Sequence, residues 1–235
     1  MRPVSRAIEP RKPVLCYVTD RRSLPDAIGL PEATGVDALL QRIEVAAAAG
    51  VDWIQLREKD LSGRELIALA RSALLRVRAQ NSATRLIVND RIDIALAAGA
   101  KGVHLRESGL PVGDARRLRD DFHARRPYLP DFLIGVSCHS AEAAKAAAGS
   151  GADYICFGPV FETPSKEPYG APQGLHRLTQ VCRTVQIPVV AIGGITLANA
   201  RECLAAGAAG IAAIRLFQEA GDIPGAVSHV TASIT

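Results

Sequence analysis

The run Gln55-Leu56-Arg57-Glu58-Lys59 concentrates more chemistry than any other stretch of this chain, with an amide and two cations at alternate positions. In an extended strand alternate side chains share a face, so Gln55, Arg57 and Lys59 point one way while Ile54 and Leu56 point the other. Two cations directed into a fold's interior are costly unless they meet an anion. That anion is either a carboxylate elsewhere in the chain or a ligand such as a phosphate ester. Asn89-Asp90 closes a later apolar run. Asp90 could neutralise the cations or hold Mg2+ bound to substrate phosphates, the usual way magnesium is held. The same dipeptide is also a common strand-ending turn. In Gly135-Val136-Ser137-Cys138-His139 the adjacent Cys138 and His139 suggest a nucleophile and its base. Neighbours on a strand face opposite sides, however, so Ser137 and His139 form the better pair. A hydrogen-bonded structural histidine is the alternative for His139.

These residues need a scaffold, and the chain advertises one by repeating a phrase: an Ala-rich helix end, a glycine, then an apolar strand. It reads AAAAGVDWIQL at 46–56, LAAGAKGVHL at 96–105, AAGSGADYICF at 147–157 and LAAGAAGIAAI at 204–214. Gly50, Gly99, Gly151 and Gly207 stand where a helix would end in a left-handed cap. The spacing of about fifty residues leaves room for a further strand and helix in each repeat. Those strands are predicted at Val14–Asp20, Leu86–Asp90, Phe132–Cys138 and Pro188–Gly193, and the last repeat's strand at Gly210–Phe217. Helical periodicity covers Val36–Ala49, Gly63–Ala79, Ile92–Ala98, Val112–Phe122, Ala141–Ala148, Leu175–Val185, Leu197–Ala206 and, more weakly, Ile223–Ala232. Strict alternation implies parallel strands covered by helices. Eight such strands without a distinct second half favour a closed, single-domain (β/α)8 TIM barrel over residues 13–235, with residues 1–12 a loose tail.

In a barrel of this kind the chemistry belongs at the carboxyl ends of the strands. The long connection from Gly158 to Gly174 carries hydroxyls and a lysine, as lid loops often do. Gly193-Gly194, ahead of a helix expected near Leu197, would let backbone N–H groups approach a phosphate. The loops after strands seven and eight are the usual phosphate site of this fold.

Composition agrees. At 4% aromatic and 48% hydrophobic residues, the core must be built from Ala, Val, Ile and Leu. A net charge of +4, scattered rather than striped, argues against nucleic-acid binding. No apolar run approaches the ~20 residues of a membrane span. The five cysteines follow no metal or disulfide spacing, which suits a reducing cytoplasm. A homo-oligomer is compatible with all of this, and the sequence sets no stoichiometry.

Taken in order, Gln55-Leu56-Arg57-Glu58-Lys59, Asn89-Asp90, Gly102-Val103-His104-Leu105, Gly135-Val136-Ser137, Gly158-Pro159 with Thr163 and Lys166, and Ile192-Gly193-Gly194-Ile195 resemble the thiamine phosphate synthase family. The related thiazole tautomerase shares several of these motifs. The resemblance spans residues 14 to 217 and implies a Mg2+-dependent transferase joining hydroxymethylpyrimidine diphosphate to a thiazole phosphate. It assigns Gln55 to Lys59, Asn89, Ser137 and Lys166 to the pyrimidine diphosphate, with His139 nearby, and Asp90 to the metal. Thr163, Pro164, Ser165, Gly193 and Gly194 would hold the thiazole phosphate, with Ile214 and Arg215 at the end of the last strand. Arg57, Lys59, Ser137 and Lys166 would be the catalytic set.

The chain departs from the family pattern twice. Gly109 stands where a second metal-binding aspartate is usual, which turns attention to Glu107, and Arg215 stands where a serine is usual. A tautomerase using His139 as acid and base, without metal, is the alternative. A non-catalytic phosphate-binding regulator is a further one. Lys59, Asp90 and Lys166 favour the synthase, because a tautomerase has no diphosphate to hold.

Overall fold

All four phrase glycines are left-handed: φ is 83° at Gly50, 79° at Gly99, 88° at Gly151 and 100° at Gly207. Each reverses the chain from a helix into the next strand. The structure, a computed structural model, describes residues 12–25, 32–125, 131–163 and 171–232. The expected tail falls almost entirely outside these residues.

Strands β1 (Val14–Val18), β2 (Trp53–Leu56), β3 (Arg85–Asn89) and β4 (Gly102–Leu105) alternate with helices α1 (Glu32–Ala48), α2 (Gly63–Ala79) and α3 (Ile92–Ala98). Helix α4 (Val112–Ala124) leads to β5 (Leu133–Cys138), α5 (Ala141–Gly149), β6 (Tyr154–Phe157) and α6 (Gly174–Thr184). The chain ends with β7 (Val189–Ile192), α7 (Ala200–Ala205), β8 (Gly210–Ala213), α8 (Arg215–Gln218) and α9 (Ile223–Ala232). The eight strands pair in parallel and in sequence order, and β8 closes on β1. Helical crossovers make this the available solution, since parallel neighbours cannot be joined by tight turns.

Strand alternation sorts the core into two layers. Leu15, Ile54, Leu86, Val103, Ile134 and Ile155 face outward and are sealed under the helices. The inner layer holds Cys16, Val18, Ile87, Tyr154, Cys156, Val190 and Ala212. Tyr154 is the bulk of that layer. Its ring stands 4.5 Å from Trp53, centroid to centroid, and occupies the space that a side chain at Gly135 would need. All five cysteines are free thiols. Among the described residues no helix is long and apolar enough to cross a membrane.

Most predicted boundaries fall within a few residues of those observed, α1 starting at Glu32 instead of Val36, and two of the differences lie at the rim. Helix α7 begins at Ala200, not Leu197, because Asn199 holds the preceding turn: it accepts from the Thr196 N–H at 2.8 Å and donates to the Gly194 carbonyl at 3.0 Å. The last strand ends at Ala213, and the expected extension to Phe217 is instead α8. That helical turn buries Phe217 and Gln218. The Gln218 amide accepts from the Asp20 N–H at 2.7 Å and donates to the Asp20 carbonyl at 3.0 Å, tying the ends of β8 and β1 together.

Gly135→Ala should therefore act on packing. Its methyl can be housed only by displacing the Tyr154 ring, and overpacking of this kind costs about 1–3 kcal/mol. The expected result is a lower urea midpoint at unchanged m-value. A midpoint equal to wild type would show that the inner layer has slack.

Candidate active site

The mouth is built from the ends of β1 to β5 on one arc and of β6 to β8 on the other. Gln55 is buried on the inner face of β2 and donates from Nε2 to Asn89 Oδ1 at 2.9 Å. With its oxygen so engaged, Asn89 has its NH2 left as the donor to offer a ligand. Arg57 follows on the same face, about one-fifth exposed, with Nη1 3.9 Å from Asp20 Oδ2. The alternation inferred from sequence therefore brings Gln55 and Arg57 to one side. Leu56 does not join them: its side chain is fully buried in the layer between sheet and helices.

Glu58 is also turned away from the mouth. Its carboxylate is buried, accepts from Thr19 Oγ1 at 2.6 Å and from the Arg21 N–H at 3.1 Å, and is ion-paired to the Arg21 guanidinium at 3.2 Å. Burial pushes Glu58 above the ordinary carboxylate range, opposed by the bonds from Thr19 and Arg21. Arg21 continues to Asp60 at 2.7 Å and holds that carboxyl low. Thr19 Oγ1 in turn accepts from the Arg57 N–H at 2.9 Å, so the network fixes the backbone from which Arg57 projects. Lys59 is exposed beside it.

Asp90 sits just past β3 with φ of 61°, a left-handed conformation that Asp and Asn tolerate better than most residues. Its N–H donates to the His104 carbonyl at 2.8 Å, and its Oδ2 accepts from Arg106 Nε at 2.6 Å. Gly109 lies directly beside it, such that a Cβ there would be 3.0 Å from Asp90 Oδ1. Glu107 is occupied with His139, accepting from the backbone N–H at 2.8 Å and meeting Nδ1 at 2.7 Å. Ser137 and His139 do not touch. Ser137 Oγ instead meets His104 Nε2 at 3.0 Å, and His104 Nδ1 meets the Tyr154 hydroxyl at 3.1 Å.

Across the mouth, Gly193 and Gly194 have φ of 98° and 66°, and any side chain there would strike Pro159, Phe161 or Glu162. Their first use is thus to let the end of β7 pack against the loop after β6. Ile214 and exposed Arg215 follow at the end of neighbouring β8. Thr163 is half-buried on the loop after β6, while Pro164, Ser165 and Lys166 lie outside the described residues. Among the described residues, no group of three or more His, Cys, Asp or Glu side chains is gathered as a metal site.

Sequence reasoning missed Thr19, Arg21, Arg106, Tyr154 and the role of His104. His104 was readable in principle, being a polar residue at an inward position of β4. The sequence holds no signal for the others beyond their proximity to strand ends.

Comparison with known proteins bears on the family and the fold. The sequence model of a family described as Thiamine monophosphate synthase matches residues 28–217. A protein named thiamine-phosphate synthase from Methanoculleus marisnigri is 46% identical over 182 residues, covering 77% of this chain and 81% of that protein. One of the same name from Chlorobium phaeobacteroides is 39% identical over 222 residues, covering 94% and 96%. The solved structure of thiamine phosphate pyrophosphorylase from Pyrococcus furiosus superposes with a TM-score of 0.75 at 32% identity, covering 96% of each chain.

Burial holds His104 neutral, with its pKa pushed from 6.5 down to about 4. The unfolded chain takes up this proton near pH 6.5 and the folded chain only near 4, so the unfolded state binds more protons in between. Stability is thus fully present above pH 6.5 and is lost as pH falls toward 4. Between pH 7 and 5 this residue should remove on the order of 2 kcal/mol, a loss absent from His104→Gln. Parallel urea midpoints for the two proteins across that window would refute it.

Proposed function

The chain belongs to the thiamine monophosphate synthase family and is a transferase, and we propose that the barrel mouth is where it joins hydroxymethylpyrimidine diphosphate to a thiazole phosphate, releasing diphosphate. One observation carries the assignment of the mouth. Donors and a cation (Gln55, Asn89, Ser137, Arg57) occupy the β2 to β5 arc, while the glycine turn and Ile214-Arg215 end the strands on the opposite arc. Two anionic substrates can then face each other across one opening. The first arc suits the diphosphate. Its charge grows as it departs, and donors fixed before the reaction stabilise that charge without reorganising. Arg57, held by Thr19 and the Glu58–Arg21 pair, supplies positive charge, and Lys59 and Lys166 would add to it. The second arc suits the thiazole phosphate, which Thr163, Pro164 and Ser165 would help to hold and which Arg215 would grip bidentately. Holding both substrates in line supplies much of the remaining rate.

Mg2+ is part of this proposal. Asp90 reaches the rim, and Gly109 stands directly beside its Oδ1, close enough that a Cβ there would lie 3.0 Å away. Glu107 is engaged with His139, and Asp90 meets Arg106 through Oδ2, so Asp90 Oδ1 is the carboxylate oxygen that would hold the ion. One carboxylate suffices where phosphates and waters complete the shell. When bound, the ion would neutralise charge on the departing diphosphate. The free thiols, four of them buried, support a reducing, cytoplasmic setting. The tautomerase alternative has one observation in its favour: Glu107 orients His139 as a carboxylate orients a general base.

Incubating the protein with both phosphorylated substrates, with and without Mg2+, tests the assignment. Thiamine phosphate should form, and its absence at saturating Mg2+ would sink the synthase reading. Asp90→Asn, which keeps the left-handed backbone, should lower kcat/KM on the order of 10²-fold. Gly109→Asp should lower the Mg2+ concentration needed for half-maximal rate. Full activity in excess chelator would remove the metal from the scheme. His139→Gln should retain substantial thiamine phosphate formation, whereas isomerisation of a thiazole phosphate abolished by that change would favour the tautomerase.

A further inference from the structure

The hydrogen-bonded line from Tyr154 through His104 to Ser137 has a direction that the geometry determines. The Tyr154 hydroxyl is fully buried, and His104 Nδ1, at 3.1 Å, is its one hydrogen-bond partner among the described residues. The neutral imidazole carries a single N–H. If that proton sat on Nδ1 it would point at the tyrosine oxygen, and the tyrosine O–H would be left without an acceptor inside the barrel, at a cost of about 1–3 kcal/mol. With the proton on Nε2, tyrosine donates to Nδ1, the imidazole donates to Ser137 Oγ at 3.0 Å, and every buried hydrogen is used. No buried side-chain nitrogen or oxygen of the described residues lacks a partner. Burial keeps the phenol protonated and the imidazole neutral, in line with this order.

We propose that Tyr154 and His104 are positioning residues that commit Ser137 to donate its own hydroxyl proton into the mouth, toward an anionic oxygen of the departing diphosphate. Ser137 is half-buried at the carboxyl end of β5, and His104 is the one hydrogen-bond partner of its hydroxyl among the described residues, which leaves its own proton for a group in the mouth. The arrangement is the reverse of a serine nucleophile with its base. The histidine gives a proton to the oxygen rather than accepting one, so Ser137 cannot be activated for attack. The inference rests on the synthase reading for the identity of the anion, but the direction of the line does not.

The experiment has one arm that needs no activity. Imidazole nitrogen NMR of the ¹⁵N-histidine-labelled full chain, with the His104 signals identified by their loss in His104→Gln, should show the Nε2–H tautomer. Tyr154→Phe keeps the ring that fills the barrel but removes the donor, so both tautomers should become populated. Calorimetric binding of inorganic diphosphate at fixed Mg2+ should weaken on the order of tenfold in both Tyr154→Phe and Ser137→Ala, the value of one hydrogen bond to a charged group. The double variant should be no weaker than Ser137→Ala alone, because both changes act through one hydroxyl. A purely packing role for Tyr154 would instead give additive losses. An Nδ1–H tautomer in the wild type, additive losses, or diphosphate binding by Tyr154→Phe equal to wild type would overturn the proposal. Failure of the coupling assay with an Nε2–H tautomer present would count against the synthase reading and leave the direction of the line standing.

Discussion

Closing eight parallel strands into a cylinder forces every second side chain into a space only a few residues across, and any polar atom sent there must find its partner within it. The rest of this structure answers to that demand. The largest side chain of the inner layer is one aromatic ring from β6, accommodated because β5 offers Gly135 opposite it. Above that ring, polarity enters in graded steps. First comes the tyrosine hydroxyl, then His104, then Ser137 and the Gln55–Asn89 pair, and last the charged groups at the rim. Within the cylinder, side-chain charge is held back to the rim.

The rim has its own dependence on burial. Glu58 and Arg21 form an ion pair almost removed from solvent, and removing one member of such a pair typically costs about 3–5 kcal/mol because the other is left uncompensated. The pair also joins the end of β1 to the end of β2, with Thr19 bridging to the Arg57 backbone. Gln218 performs the corresponding service between β8 and β1. The mouth therefore stands on polar splices between neighbouring strand ends, and the residues that do the splicing point away from the opening.

Much of the fold was legible because repetition and left-handed glycines are local signals: Gly50, Gly99, Gly151 and Gly207 each mark a helix end without tertiary information. The start of α7 and the end of β8 were not: the first turns on a side-chain bond from Asn199 to the Gly194 carbonyl that hydrophobic periodicity does not register, and the second on the bonds of Gln218 to Asp20, far along the chain. The same division holds at the site. Alternation was enough to bring Gln55 and Arg57 to one face. It could not reveal that Glu58 is consumed by Arg21, that Arg106 sits on Asp90, or that Ser137 looks to His104 rather than His139. Those pairings join residues from different strands or loops, and a linear pattern carries no trace of them.

The free thiols carry a consequence of a different kind. Cys16 and Cys156 line the interior cylinder, and Cys138 and Cys203 are buried elsewhere. Burial pushes Cys16, Cys138 and Cys203 up to about 12, Cys156 well above its ordinary value, and the partly exposed Cys182 to about 11. At neutral pH the thiolate is then roughly one part in ten thousand or less, and the thiolate is the form that peroxides and electrophiles attack. Burial thus keeps four of the five sulfurs out of reach and all five in the thiol form, which gives oxidants and electrophiles little to attack.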